Sequence, residues 1–268
     1  MATGKINVSA DNIFPIIKKF LYSDHEIFLR ELISNAVDAT NKLKTLSNLG
    51  EFKGELGDLT IQVHIDKKKK QLRIVDRGIG MTHDEVQKYI NDVAFSGAEE
   101  FVKQYEGKVE KGAMIGHFGL GFYSSFMVSS QVEIKTRSWK SSDDKEGAHW
   151  SCDGSPEFEL KGCTKKDRGT EIILHIDSES EDFLEEFKIK ELLKKYARFM
   201  SIPIQCGEKE ERVNVAAEGE EAKYETVKKA DIINETEPAW TKKPSELSDE
   251  DYNKFYKALY PYTFEDPL

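Results

Sequence analysis

FLRELISNAVDATNK, residues Phe28 to Lys42, carries the reading of this chain. At about 100° per residue, a helix over this stretch puts Phe28, Leu29, Leu32, Ile33, Ala36, Val37 and Ala39 on one apolar face. Glu31, Asn35, Asp38 and Lys42 then share an arc of roughly 60° at one edge of that face, with Arg30, Ser34 and Asn41 on the far side. A solvated surface would spread its charges. Here an acid, an amide, a second acid and a base stand in one stripe, where a buried helix meets the rim of a cleft. Such a stripe can hold a divalent cation, a water and a polyanion together.

Outward from this helix, the pattern is mixed. Ile6 and Val8 alternate with polar residues as a short edge strand, and a first helix is predicted over 11–22. Ser23 or Asp24 is the break and cap before the central helix, 25–46. Alternation predicts strands at 60–65 and 71–75, with the Lys67–Lys70 run as a solvated turn. A helix over 82–93 opens on Thr-His-Asp-Glu. Residues 94–121 contain six glycines and little periodicity, which reads as a long functional lid or loop. Phe122–Val128 is predicted helical. Strand patterns recur near 132–138, 147–153, 157–161 and 170–176, an antiparallel meander spacing, followed by an amphipathic helix over 187–200. From 207 to 223 the chain is charged and weakly patterned and reads as a flexible tether. The aromatic-rich stretch 238–268 contains one helix capped by Ser248 and reads as the opening of a second domain.

With 268 residues, 38% of them hydrophobic, the chain can bury a substantial core. A net charge of −10 argues against nucleic acid or an anionic membrane as the main partner, but a small glycine-rich pocket can still take a nucleotide. Cys152, Cys163 and Cys206 form no CxxC pair, so neither a disulfide framework nor a zinc site is expected. They read as small hydrophobes, and a reducing cytoplasm fits them. The six histidines lack metal-ligand spacing. No apolar run approaches a membrane span, and the N-terminal residues lack an apolar leader. Trp139, Trp150 and Trp240 read as packing or interdomain contacts, not as a ligand cage.

Three further segments add chemistry. Asp76-Arg77-Gly78-Ile79-Gly80-Met81-Thr82 follows a strand, where glycines allow close backbone approach and the Asp can accept a hydrogen bond from an exocyclic amine. Gly116-His117-Phe118-Gly119-Leu120-Gly121 runs into a helix and offers backbone N–H donors to phosphate. No Gly-Lys-Ser/Thr follows, so it is not a P-loop. Gly169-Thr170 opens a late strand. Each motif alone has an ordinary structural reading as a turn or hinge. Their ordered combination with the helix stripe is specific.

That combination resembles the ATP site shared by gyrase B subunits, histidine kinases, mismatch-repair ATPases and the ninety-kilodalton heat-shock chaperones. EIFLRELISNAVDA (26–39), DRGIGMT (76–82), SGAEEF (96–101), IGHFGLGFYS (115–124), RGTEIILH (168–175) and the closing W-T-K-K-P-S…Y-N-K-F-Y-K…EDPL resemble the heat-shock chaperones over essentially the whole chain. The short acidic linker is similar to that of bacterial members. The resemblance implies an α+β fold of Bergerat type. This is a two-layer α/β sandwich whose twisted, mostly antiparallel sheet carries helices on one face that form the nucleotide pocket. It also implies an ATP-binding domain over 1–206, a charged linker over 207–235 and the start of a middle domain over 236–268.

By the same resemblance Glu31 is the general base for the attacking water, and Asn35 holds Mg²⁺ through its amide oxygen. Asp76 accepts the adenine amine, Gly80 permits close packing, Met81 packs on the base, and Thr170 shares a water with Asp76. Asp38 and Lys42 line the ribose and phosphate side. The backbone of Gly116, His117, Phe118, Gly119, Leu120, Gly121 and Phe122 cradles the phosphates, and 94–121 forms the lid. Phe95 stands where many members carry lysine, and His117 replaces a glutamine. The implied protein is an ATP-driven chaperone, homodimeric at full length, acting on unfolded or partly folded clients. Ile6 and Val8 would pair with a partner chain, and turnover by this chain alone would be slow, because an arginine of the middle domain reaches the γ-phosphate. The rivals are a kinase-, topoisomerase- or mismatch-repair-type ATPase, and a nucleotide-sensing module with negligible turnover. A kinase would need a phosphoacceptor-histidine helix before the ATP core, and only His25 precedes Glu31.

Overall fold

In the computed structural model, the described residues are 24–92, 95, 97–108, 114–116, 119–214, 224–260 and 263. The strand expected at Ile6–Val8, the helix expected over 11–22, and His117 and Phe118 lie outside them. The quoted stretch lies inside helix α1 (Ile27–Asn48). Its N-cap is Glu26, and Asp24 shapes the preceding turn by accepting the Glu26 N–H at 2.9 Å.

Eight strands form one sheet: β1 (Ile61–Asp66), β2 (Gln71–Val75), β3 (Ser129–Arg137), β4 (Gly147–Cys152), β5 (Glu159–Cys163), β6 (Gly169–Ile176), β7 (Ile204–Asn214) and β8 (Tyr224–Ile232). Their order is β5-β4-β3-β6-β2-β1-β7-β8, and β1–β7 is the parallel pair in an otherwise antiparallel sheet. The 3-4-5 part is the expected meander; β6 then crosses to insert between β3 and β2. Alternation puts Ile61, Val63, Leu72, Ile74, Val132, Ile134, Ala148, Trp150, Leu174 and Ile176 on one face. These residues share one core with the apolar side of α1 and with Ile189, Leu192, Leu193 and Ala197 of α4 (Glu186–Ala197). The other face carries polar pairs such as Arg73–Glu171, and Glu133 between His149 and His175. This is the mixed α/β architecture that the resemblance implied.

Four elements differ from the sequence reading. Within the glycine-rich 94–121, Gly97–Gln104 forms helix α3. Ala98, Phe101 and Tyr105, at helical spacing, form a short apolar face that joins Leu46 and Met114 in a second cluster; the glycines around this short helix mask its period. The Thr82 capping box starts only one α-turn, α2 (His83–Val86), which continues as a π-helical turn over Gln87–Asn91. Residues Gly121–Met127 are a 3-10 helix. The expected tether over 207–223 is strand in its described part: β7 runs to Asn214 and pairs with β8 as an antiparallel ribbon. Charges that looked like a solvated run meet across the ribbon, with Lys229–Glu211 at 3.0 Å.

After β8, the chain is stitched to the domain by Asn234. Its Oδ1 accepts the Ile204 N–H at 2.7 Å, and its Nδ2 donates to Met200 and Ile202 carbonyls at 2.8 and 2.9 Å. Helix α5 (Asp249–Leu259) starts at a capping box of Ser248 and Asp251. Trp240 packs edge-on against both Phe199 and Phe255 of α5, and Trp150 lies in the core, so both tryptophans are packing residues. The three cysteines are free thiols. No helix among the described residues is long and apolar enough to cross a membrane.

Candidate functional site

A cavity of about 890 Å³ opens between α1, the end of β2 and the glycine-rich segment. All the described residues named from sequence line it. α1 contributes Glu31, Asn35, Asp38 and Lys42; the turn after β2 contributes Asp76, Gly80 and Met81; β6 contributes Thr170. Gly116, Gly119, Leu120, Gly121 and Phe122 form the opposite strip. Asn35 is exposed on an otherwise buried length of helix, which is what a residue facing a cavity requires. Arg30 and Ser34, expected on the far side, also line the cavity; Ser34 is buried and the Arg30 guanidinium reaches Glu31 Oε1 at 2.5 Å.

At the β2 end, Asp76 is buried and its Oδ1 accepts N–H groups from Gly78 at 2.8 Å and Thr170 at 3.3 Å. Burial pushes its carboxyl up to about 6, against the pull of those two bonds. Both bonds end on Oδ1, so Oδ2 is the oxygen left for a donor arriving in the cavity. Thr170 pairs through its hydroxyl with Thr136 at 3.0 Å, and Thr136 Oγ1 also accepts the Met81 N–H at 2.9 Å. Thr136 thus ties two expected site segments together, the turn at Met81 and the strand start at Gly169-Thr170. Its signal was present: it is a polar residue at an inward position of β3, in phase with Val132 and Ile134.

Gly80 has φ +59°, and a Cβ there would stand 1.9 Å from the Arg137 carbonyl oxygen. Its need for glycine therefore comes from the neighbouring strand end. Gly78 seats the same turn on α1, where the Ile79 N–H donates to the Ala39 carbonyl at 3.1 Å.

At the α1 end, the glycine strip runs along the stripe. A Cβ on Gly116 would lie 3.4 Å from Asp38 Oδ2 and 3.5 Å from Asn35 Oδ1. The Asp38 carboxylate accepts backbone N–H groups of Ile115 and Gly116. Phe122 points its ring into the core against Trp150, so only its backbone can serve a ligand. The Lys42 ammonium lies 5.7 Å from the Phe101 ring centre; burial lowers its pKa and the Asp38 charge opposes that. Tyr89 and Trp139, outside the quoted motifs, and Phe101, at the end of SGAEEF, add aromatic walls.

The arrangement can take a ligand with an amine-bearing planar end and an anionic end. The volume suits a nucleotide. Among the described residues no group of three or more His, Cys, Asp or Glu could hold a metal. One amide oxygen at Asn35 is the kind of partial donor set that serves Mg²⁺ when phosphates complete it.

Comparison with known proteins gives the same direction. Residues 22–167 match the family described as Histidine kinase-, DNA gyrase B-, and HSP90-like ATPase, and residues 221–268 match the family described as Hsp90 protein. The chain is 55% identical over 99% of its length to chaperone protein HtpG of Porphyromonas gingivalis strain W83, covering 37% of that protein. It is 56% identical over its whole length to the protein of the same name from Bacteroides fragilis strain 638R, again covering 37%. Identity to the Hydrogenovibrio crunogenus HtpG is 38% over 99% of the chain and 41% of that protein. The chain thus spans about two fifths of the length of these relatives. It belongs to the family of histidine kinase-, DNA gyrase B- and HSP90-like ATPases, on its Hsp90 branch.

Proposed function

We propose that the cavity binds ATP and ADP with Mg²⁺, and that this chain is the nucleotide-binding portion of an ATP-dependent molecular chaperone. The observation that carries this reading is the convergence on one cavity of motifs separated from Glu31 to Thr170 along the chain. Asp76 Oδ2 would accept the adenine amine, with Met81 against the base and Gly80 shaping the turn. Thr170 would share a water with Asp76. Asn35 would hold Mg²⁺, which supplies charge neutralisation at the phosphates. Lys42 and Asp38 would line the ribose and phosphate side, and backbone N–H groups of the strip from Gly116 to Phe122 would face the phosphates. His117 and Phe118 belong to this strip by sequence.

Glu31 would act as general base once its carboxylate reaches the attacking water. In the structure that carboxylate is paired with Arg30. Turnover would need the pair to open, which supports slow hydrolysis by the chain on its own. The longer protein would be a cytoplasmic homodimer acting on unfolded or partly folded clients; the relatives' name, chaperone protein HtpG, supports the chaperone part of that reading. Within it, 1–206 would form the ATP-binding domain, 207–235 the charged linker and 236–268 the start of the middle domain.

Titration calorimetry of the 268-residue chain with Mg²⁺-ADP and Mg²⁺-ATP tests the site. Heat with neither nucleotide, for folded protein, overturns it. Glu31→Ala is expected to keep binding and lose residual hydrolysis, and Asp76→Asn to lose binding; the reverse pattern overturns the two roles.

A further inference from the structure

We infer that Asp38 is a positioning residue: it anchors the entrance of the glycine-rich strip to α1 and so sets how tightly the protein holds a phosphate-bearing ligand. This rests on the ATP-site reading and departs from it on one point, since Asp38 then acts through the backbone it holds.

Asp38 is 4% exposed. Its Oδ1 and Oδ2 accept the Ile115 N–H at 2.9 and 3.0 Å, and Oδ2 accepts the Gly116 N–H at 2.8 Å. Two consecutive amides thus enter one ionised group, the charge-assisted arrangement that is shorter and stronger than a neutral pair. Both oxygens are engaged with the strip. The strip then passes Asn35 at Gly116 and reaches Glu31 at Gly121, where a Cβ would stand 2.3 Å from Glu31 Oε2. The strip is therefore seated tightly on α1 at its Gly121 end and held at its entrance by the Asp38 hydrogen bonds.

Fixing one end of a phosphate-facing backbone lowers the ordering cost of its N–H donors when an anion arrives. The amine-binding end is held by a different set of bonds, among Asp76, Gly78, Thr170 and Thr136, none of which involves Asp38. Loss of the anchor therefore weakens ligands that carry phosphate and spares the nucleoside.

The experiment combines amide hydrogen exchange of the nucleotide-free chain with calorimetry, for wild type, Asp38→Ala and Asp38→Asn. In Asp38→Ala the amides of Ile115 and Gly116 are expected to exchange at least tenfold faster, and Asp38→Asn, which keeps one acceptor, to fall between. Affinity for Mg²⁺-ADP is expected to drop about tenfold in Asp38→Ala while affinity for adenosine stays within about twofold. Unchanged exchange at 115–116 overturns the anchor. So does an equal loss for adenosine and ADP, which would make Asp38 a direct contact to the nucleoside. If wild type binds neither ligand, the ATP-site reading fails instead, and the exchange rates alone decide the anchor. Should Asp38→Ala not fold, the near-isosteric Asp38→Asn carries the same comparison.

Discussion

A Cβ on Gly121 would stand 2.3 Å from Oε2 of Glu31, so the glycine-rich strip touches the stripe helix at the carboxylate itself. Gly121→Ala would force that carboxylate aside, at the far end of a flexible side chain. Folding and ADP affinity are expected to survive, the latter within about threefold, while phosphate release falls at least tenfold, because small displacements of a reacting group are costly. Steady-state hydrolysis beside calorimetry checks this. Equal loss of binding and turnover would mean that the strip, and not Glu31, had moved.

The raised pKa of Asp76, about 6, has a signed consequence. In the unfolded chain the carboxyl ionises from about pH 4, while in the folded protein it keeps its proton until about pH 6. The unfolded state loses protons first, so this group favours folding fully below pH 4 and loses its contribution as pH rises to 6. The difference is at most about 3 kcal/mol. Urea unfolding of wild type and Asp76→Asn should therefore diverge over pH 4–6, the variant gaining relative stability towards neutrality. Parallel curves would refute the burial effect.

If the adenine amine donates to Asp76, the bound state favours the carboxylate. Affinity for ADP is then expected to rise between pH 5 and 7, with proton release near pH 6 detectable as a buffer-dependent heat. A buffer-independent heat would remove Asp76 from that role.

Gly80 combines φ +59° with a carbonyl oxygen of Arg137 where a Cβ would go, at 1.9 Å. Since that neighbour is backbone, Gly80→Ala is expected to destabilise the fold by about 3 kcal/mol or more, with or without ligand. Loss of binding without loss of stability would show instead that the glycine makes room for the ligand.

Asn234 satisfies one N–H and two carbonyls at the corner between α4 and β7. Asn234→Ala is expected to lower unfolding free energy by roughly 2–3 kcal/mol, measured by urea titration, by stranding those groups. A change below about 0.5 kcal/mol would show that water replaces the amide.

Much of this protein was legible from periodicity. β2 lies where alternation put it, and α1, β1, β3, β4 and β6 lie within a few residues. The site residues were legible because glycines and an acid-amide-acid-base stripe are unusual local patterns. What stayed hidden depended on distant partners. α3 carries only a short apolar face, Ala98 and Phe101 with Tyr105 just past its end, set in a glycine-rich stretch, and docks it on Leu46 and Met114; β7 and β8 looked like a tether until each found the other's charges. Arg30 and Ser34 looked solvent-facing because a helical wheel places residues around one helix and not around the cavity beside it.

The chain's own order of residues settles the strand and helix periods, the stripe from Glu31 to Lys42 and the presence of three glycine-bearing turns, because those depend on φ, ψ and side-chain spacing within a few residues. Only the tertiary structure assigns partners. It makes Gly80 a packing glycine against Arg137, ties Asp76 to Thr170 and engages Asp38 with Ile115 and Gly116. Hydrogen bonds and burial between residues far apart in the chain follow from the packed sheet and helix, and no local pattern encodes their distances.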